Sequence, residues 1–186
     1  AYAMESAFKF FNDNTHEVFV FPDWETLPYD TFSPHEDIIS QRLETLSKLP
    51  LSRKGILIIP INTLMHRLPP KSFLQANSFS LKTGQRFDLI KYRSMLENVG
   101  YRHVDTVYEH GEYAIRGSIF DLYPMGCDEP IRIELFDDEI DSLRSFDPEN
   151  QRSKSKIKSL EILPANEFPW DKDSRLGFRN RWLEQF

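Results

Sequence analysis

The chain has 186 residues, enough to bury a substantial core as one domain or two small ones. Hydrophobic residues make up 40% and charged residues 28%, which excludes a disordered chain. A net charge of −6 argues against nucleic acid as the primary partner, because a general phosphate-binding surface carries a basic excess.

Ala1 opens directly into helix-like sequence and Met4 is not terminal, so the start reads as a cut within a longer protein, with no signal-peptide pattern. Residues 4–11 are predicted as a helix and residues 18–21 as a short strand closed by Pro22. Trp24, Tyr29 and Phe32 follow in a proline-rich loop. Such loops hold peptides or stack on bases, but Asp23, Glu25 and Asp30 deny this one the cations that base stacking needs. Its aromatics are expected to pack on the domain core. Ser33-Pro34-His35-Glu36 predicts a helix start: Ser33 caps, Pro34 takes the first helical position and Glu36 completes a capping box. Ile39, Leu43 and Leu46 then share one face, and Pro50 stops the helix. The apolar run at 56–59 is typical of a buried parallel strand and is far too short to cross a bilayer. Asn62 is expected to cap a short helix through Leu68, ended by Pro69-Pro70. This αβαβα order implies a parallel sheet with helices packed on it.

After Pro70 the composition changes. Phe79 and Leu81 sit in a predicted strand. Residues 88–99 form a predicted helix with Leu89, Met95, Leu96 and Val99 inward and Gly100 as its stop. β-prone runs follow at 102–108, 112–122, 131–136 and 140–146, with turn residues between them, which suggests an antiparallel meander. The polar stretch 151–156 reads as a linker. Residues 157–163 are a strand candidate, and Phe178, Trp182, Leu183 and Phe186 share one face of a last helix. The order implies one domain inserted in another. Residues 1–76 would be the first part of an α/β domain and 77–156 a small α+β insertion with an antiparallel sheet. Residues 157–186 would return to the first domain's sheet.

Chemistry is sparse. The chain has no GxxxxGK[ST] and no GxGxxG, and seven glycines in all build no phosphate cradle, so no nucleotide cofactor is expected. Glu134, Asp137, Asp138, Glu139 and Asp141 form an acidic cluster. Grouped carboxylates can hold Mg²⁺ or Ca²⁺, as in a metal-dependent nuclease. The EF-hand spacing is absent, however, and the alternation with Ile133, Leu135, Ile140, Leu143 and Phe146 fits a solvated hairpin turn. His16, His35, His66, His103 and His110 form no HExxH pair. Cys127 is the only cysteine, which excludes an internal disulfide and a CxxC metal pair and is compatible with the cytoplasm. No catalytic, cofactor or metal residue is assigned.

One arrangement points to binding. Arg116 precedes Gly117 inside a predicted strand, and Arg132 opens the strand that ends at Phe136. Residues two apart share a face of a strand, so Arg132, Glu134 and Phe136 point to one side and Ile131, Ile133 and Leu135 to the other. A face with Arg and Phe suits a protein interface, with Phe as anchor and Arg as a fork for carboxylates. The alternative is an intramolecular pair of Arg132 with a cross-strand acid.

At these residues a family resemblance becomes specific. Gly111-Glu112-Tyr113-Ala114-Ile115-Arg116-Gly117, Phe120-Asp121-Leu122-Tyr123-Pro124 and Arg132-Ile133-Glu134-Leu135-Phe136-Asp137-Asp138-Glu139-Ile140 resemble the domain signature shared by UvrB and the transcription-repair coupling factors (Mfd). Leu163-Pro164-Ala165 fits as well. Asp23-Trp24-Glu25-Thr26-Leu27-Pro28-Tyr29-Asp30 and Phe32-Ser33-Pro34-His35 resemble the coupling factors, and the long Tyr-rich insertion of UvrB is missing. The resemblance runs from about Phe19 to Trp170. It implies a degenerate RecA-like parallel-sheet domain with a small α+β domain inserted in it. The implied role is an adapter without catalysis that recruits UvrA to RNA polymerase stalled at DNA damage. Arg116, Arg132 and Phe136 would contact UvrA. A C-terminal domain of the parent protein would cover the same surface, and RNA polymerase and DNA would be contacted by the parent's other domains. The competing reading is the N-terminal part of a UvrB-like ATP-dependent DNA helicase.

Overall fold

A computed structural model of the chain describes residues 2–12, 16–27, 30–168, 174–177 and 179–180. The expected last helix, with Phe178, Trp182, Leu183 and Phe186, falls outside these, as does Tyr29 of the aromatic loop. The fold is mixed α/β, with a short parallel pair, a short antiparallel pair and a larger mixed sheet. No helix among the described residues is long and apolar enough to cross a membrane.

The first layer follows the predicted order. Helix α1 (Tyr2–Phe11) leads to strand β1 (Glu17–Val20), and helix α2 (Glu36–Lys48) leads to strand β2 (Gly55–Ile58). β1 and β2 pair in parallel, with Val18 opposite Ile56 and Val20 opposite Ile58. The start of α2 differs from expectation. Its cap is His35, whose Nδ1 accepts from the Asp37 N–H at 3.3 Å, so Ser33 and Pro34 lie before the helix. Helix α3 (Ile61–Leu64) has Pro60 at its N-cap position with no side-chain cap, and Asn62 lies inside it. Helix α4 (Lys71–Asn77) was not anticipated. Pro70 at its cap position fixes the entering chain in an extended conformation, which suits a helix start as well as a helix stop.

Strand β3 (Phe79–Lys82) precedes helix α5 (Leu89–Asn98). Asp88 caps α5 by accepting from the Lys91 N–H at 3.1 Å, and Gly100 takes φ +98 just beyond it, the left-handed conformation that ends many helices. The large sheet follows: β4 (Arg102–His103), β5 (Glu112–Arg116), β6 (Ile119–Leu122), β7 (Ile131–Phe136), β8 (Glu139–Phe146) and β9 (Ser153–Ile157), in that spatial order. It is an antiparallel meander except for the parallel β4–β5 contact.

Four sequence expectations are corrected here. The run 102–108 forms a strand only at Arg102–His103. The run 112–122 is two strands, because Gly117 at φ +62 and Ser118 make a tight turn between Arg116 and Ile119. Arg116 therefore ends a strand rather than lying inside one. The polar stretch read as a linker is largely strand β9, held to the edge of β8. Strand β10 (Ser159–Ile162) then pairs antiparallel with β3 and not with the β1–β2 sheet that the tail was expected to rejoin.

A continuous core joins these layers. Leu43 of α2, Leu74 of α4, Leu96 of α5, Leu81 of β3 and Leu160 of β10 pack with the inward residues of the large sheet, including Tyr113, Phe120, Ile133 and Leu143. Polar ties reinforce the contact. The Gly126 N–H donates to Ser40 Oγ at 2.8 Å, and His110 lies between Asp37 (2.7 Å) and the Cys127 carbonyl (2.8 Å). One face of the large sheet is thus buried, and the opposite face is largely left to polar side chains, as an antiparallel sheet permits.

Candidate functional site

The outward face of the large sheet is where the sequence-predicted residues meet. In β7 the alternation holds: Ile131 and Ile133 are buried, Leu135 packs against the core, Arg132 and Glu134 are half-buried on the other side, and Phe136 is exposed. β7 and β8 join through Asp137 and Asp138, with Asp137 at φ +53 and Phe136 opposite Glu139. The acidic run is therefore a hairpin turn, as expected. Phe136 ends β7 beside this turn with 74% of its surface open to solvent.

The joint of the face is Asp121 in β6, a residue to which sequence reading gave no role. It lies directly opposite Arg132, and its side chain is 1% exposed. Arg132 grips it with two prongs: Nε donates to Oδ1 at 2.8 Å and Nη2 to Oδ2 at 2.9 Å. Arg116 Nη2 donates to the same Oδ2 from the far side. The hydrogen bonds from Arg132 to Asp121 raise the arginine's pKa above its ordinary value, despite an opposing contribution from burial. Arg132 Nη1 also donates to the Gln151 carbonyl at 3.1 Å, and the guanidinium lies 4.7 Å from the centre of the Phe146 ring. Phe146 packs with Val107 and Ala114 in a small satellite cluster on this face.

Of the two sequence readings of Arg132, the intramolecular pair is the one present. It does pair with a cross-strand acid, and the pair fixes Arg116 and Arg132 side by side. Arg116 keeps 46% of its side chain exposed and Arg132 only 13%, so Arg116 is the more available of the two. The arrangement is a rigid cationic pair on a sheet surface with an exposed aromatic ring at the end of the same strand. The signal for Asp121 was present in the sequence as a lone acid between Phe120 and Leu122. Its partner could be named only once the β6–β7 register was known.

A second cluster sits beyond the carboxyl ends of β1 and β2. Arg42 is fully buried, donates to both oxygens of Glu167 and, at 2.6 Å, to the Pro22 carbonyl, and stacks on Phe21 and Trp24. Trp24 stacks in turn on His66 and donates to Glu167 at 3.3 Å, so it packs inward as expected of the aromatic loop, whereas Phe32 is 81% exposed. This cluster locks the loop and the tail to α2 and presents no open site.

Residues 79–168 match the family model of the UvrB interaction domain. Over most of its length the chain is similar to one part of the transcription-repair-coupling factors. It is 54% identical over 164 residues to that of Escherichia coli (strain K12), covering 88% of this chain and 14% of the relative. It is 51% identical over 173 residues to that of Haemophilus influenzae, covering 93% and 15%. It is 38% identical over 157 residues to that of Staphylococcus aureus (strain MRSA252), covering 83% and 13%. The chain therefore spans only a small share of the relatives it matches.

Proposed function

We propose that this chain is the protein-binding adapter of a transcription-repair coupling factor, without catalysis of its own, that recruits UvrA to RNA polymerase stalled at DNA damage in the cytoplasm. The single observation that carries this reading is the outer face of the large sheet. Asp121 holds Arg116 and Arg132 side by side, and Phe136 stands 74% exposed at the end of the same sheet. An exposed ring with flanking arginines matches the composition of interface anchors, where aromatic and Arg side chains carry most of the energy. The match of residues 79–168 to the UvrB interaction domain family model and the similarity to the coupling factors support the same reading.

In this reading Arg116, Arg132 and Phe136 contact UvrA. The arginines meet carboxylates or carbonyls and set orientation and encounter rate, and Phe136 fills an apolar spot. In the parent protein its C-terminal domain covers this face until UvrA is needed, and RNA polymerase and DNA are handled elsewhere in the parent. The parallel β1–β2 pair with its helices fits part of a degenerate RecA-like domain. Calorimetric titration of the chain into purified UvrA tests the proposal. Saturable binding that Phe136→Ala weakens on the order of tenfold or more supports it. A folded wild-type chain that does not bind UvrA overturns it.

A further inference from the structure

The outer face carries a cation that the contacts described so far leave uncompensated. Arg144 of β8 lies directly opposite Arg132 of β7, and on its other side Lys156 of β9 lies directly opposite Arg144. Directly opposed residues in a sheet have Cβ atoms about 4.5–5.5 Å apart, and like charges placed so repel. Arg132 is neutralised by its fork on Asp121. Arg144 has only a long ion pair. Its Nε is buried without a hydrogen-bond partner. Among the described residues the one carboxylate in reach is Glu134, at 3.8 Å, and that oxygen already accepts from Ser142 Oγ. The Arg144 side chain is still 33% exposed, and Lys156 is exposed with no ion pair among the described residues.

Arg116, Arg132, Arg144 and Lys156 thus outnumber Asp121, Glu134 and Glu139 on a face of a chain whose net charge is −6. Guanidinium groups with unmet donors are the usual takers of carboxylates, through strong charge-assisted bonds. We infer that Arg144, with Lys156 beside it, is a further partner-binding position on this face and takes a carboxylate-bearing segment of the protein partner. The inference rests on the UvrA-binding reading above and extends it toward β9. A nucleic-acid backbone fits less well. Asp121 and Glu134 interrupt the cations, and the exposed Phe136 at the end of β7 suits a protein surface.

The test is titration of the chain into purified UvrA at low and moderate salt, with wild type, Arg144→Glu, Lys156→Glu and Phe136→Ala compared and with duplex DNA as a separate titrant. The expected result is that Arg144→Glu weakens UvrA binding on the order of tenfold and Lys156→Glu by several-fold, with a smaller salt dependence in both. Lys156 is exposed on an edge strand, so its variant decides the matter if Arg144→Glu fails to fold. Both folded variants binding within about twofold of wild type, while Phe136→Ala loses affinity, would overturn the inference and leave the UvrA reading standing. Loss of duplex binding with UvrA binding unchanged would overturn it in favour of a phosphate-binding face. Absence of UvrA binding by the wild-type chain would overturn both.

Discussion

Arg132 and Asp121 face each other across β6 and β7 and close a two-pronged fork in which the carboxylate is 1% exposed and the arginine side chain 13%. Because Asp121 also receives Arg116, one acid sets the spacing of two proposed contact residues. Removing one member of a buried pair leaves the other charge uncompensated, at a cost of about 3–5 kcal/mol. Asp121→Ala is therefore expected to destabilise the chain by about that amount in urea unfolding. A loss below about 1 kcal/mol would mean that the arginines find other acceptors. The same logic makes Arg132→Ala an ambiguous binding variant, since it strips a buried carboxylate of its main partner. Arg116→Ala, on a side chain 46% exposed, separates binding from stability better.

Phe136 gives the cleanest separation. With 74% of its surface in solvent it contributes little to the core, so Phe136→Ala is expected to change unfolding free energy by no more than about 0.5 kcal/mol. Its effect on UvrA binding is expected to be about 1–3 kcal/mol. Thermal unfolding and calorimetry on one preparation check both values. A large stability loss would place the ring in the fold rather than at the interface.

The parts of this face that were legible in the sequence are the local ones. The strict alternation of β7 announces which side is buried, because a strand shows its two faces at a period of two residues. The Asp121 joint was not legible. It depends on the register between β6 and β7, and on Arg116 reaching back across a turn that was hidden inside a continuous β-prone run. Gly117-Ser118 was the overlooked cue. Strand β9 was missed for another reason. Ser153, Lys154, Ser155 and Lys156 are all exposed, so no burial pattern marks them, and their order comes from backbone pairing to β8. An edge strand rich in lysine also discourages pairing with other chains. The family resemblance implied a role for Arg116, Arg132 and Phe136 but none for Asp121, which stands in the same signature.

The buried pair of Arg42 and Glu167 joins residues far apart in sequence, and both side chains are almost fully removed from water. Arg42 also has its guanidinium over the rings of Phe21 and Trp24. Glu167→Ala is expected to cost about 3–5 kcal/mol, since it leaves a buried guanidinium with only the Pro22 carbonyl as a strong acceptor. The double variant Arg42→Met with Glu167→Leu is expected to recover most of that loss, because well-packed apolar side chains avoid the desolvation cost altogether. Urea unfolding of the two variants checks this. A double variant no more stable than the single would show that the pair is needed to dock the tail and the Trp24 loop. UvrA binding is expected to stay near wild type in the recovered double variant, as the cluster contributes nothing to the outer face.

Alkaline pH offers a test of the packing between the layers. Burial pushes the Cys127 thiol from its ordinary 9.0 up to about 11. Burial, and then the hydrogen bond to Glu97, push the Tyr113 hydroxyl from 10.0 up to about 12. In both cases the folded state holds the proton more tightly than the unfolded chain does. Below pH 9 both forms keep their protons and these groups leave stability independent of pH. Above pH 9 the unfolded chain loses the thiol proton first, so stability is expected to fall as pH rises toward about 11. The tyrosine adds to the decline between 10 and about 12. Urea midpoints from pH 7 to 11 should show this slope, and Cys127→Ala should flatten its first part. A thiol-reactive probe at pH 8 should label the native chain far more slowly than the urea-unfolded one, because only the thiolate reacts. Equal labelling rates would mean that the segment after Met125 opens freely. In that case the contact of α2 with the sheet, made through Ser40 and Gly126, would be too loose to hold the outer face in register with the rest of the chain.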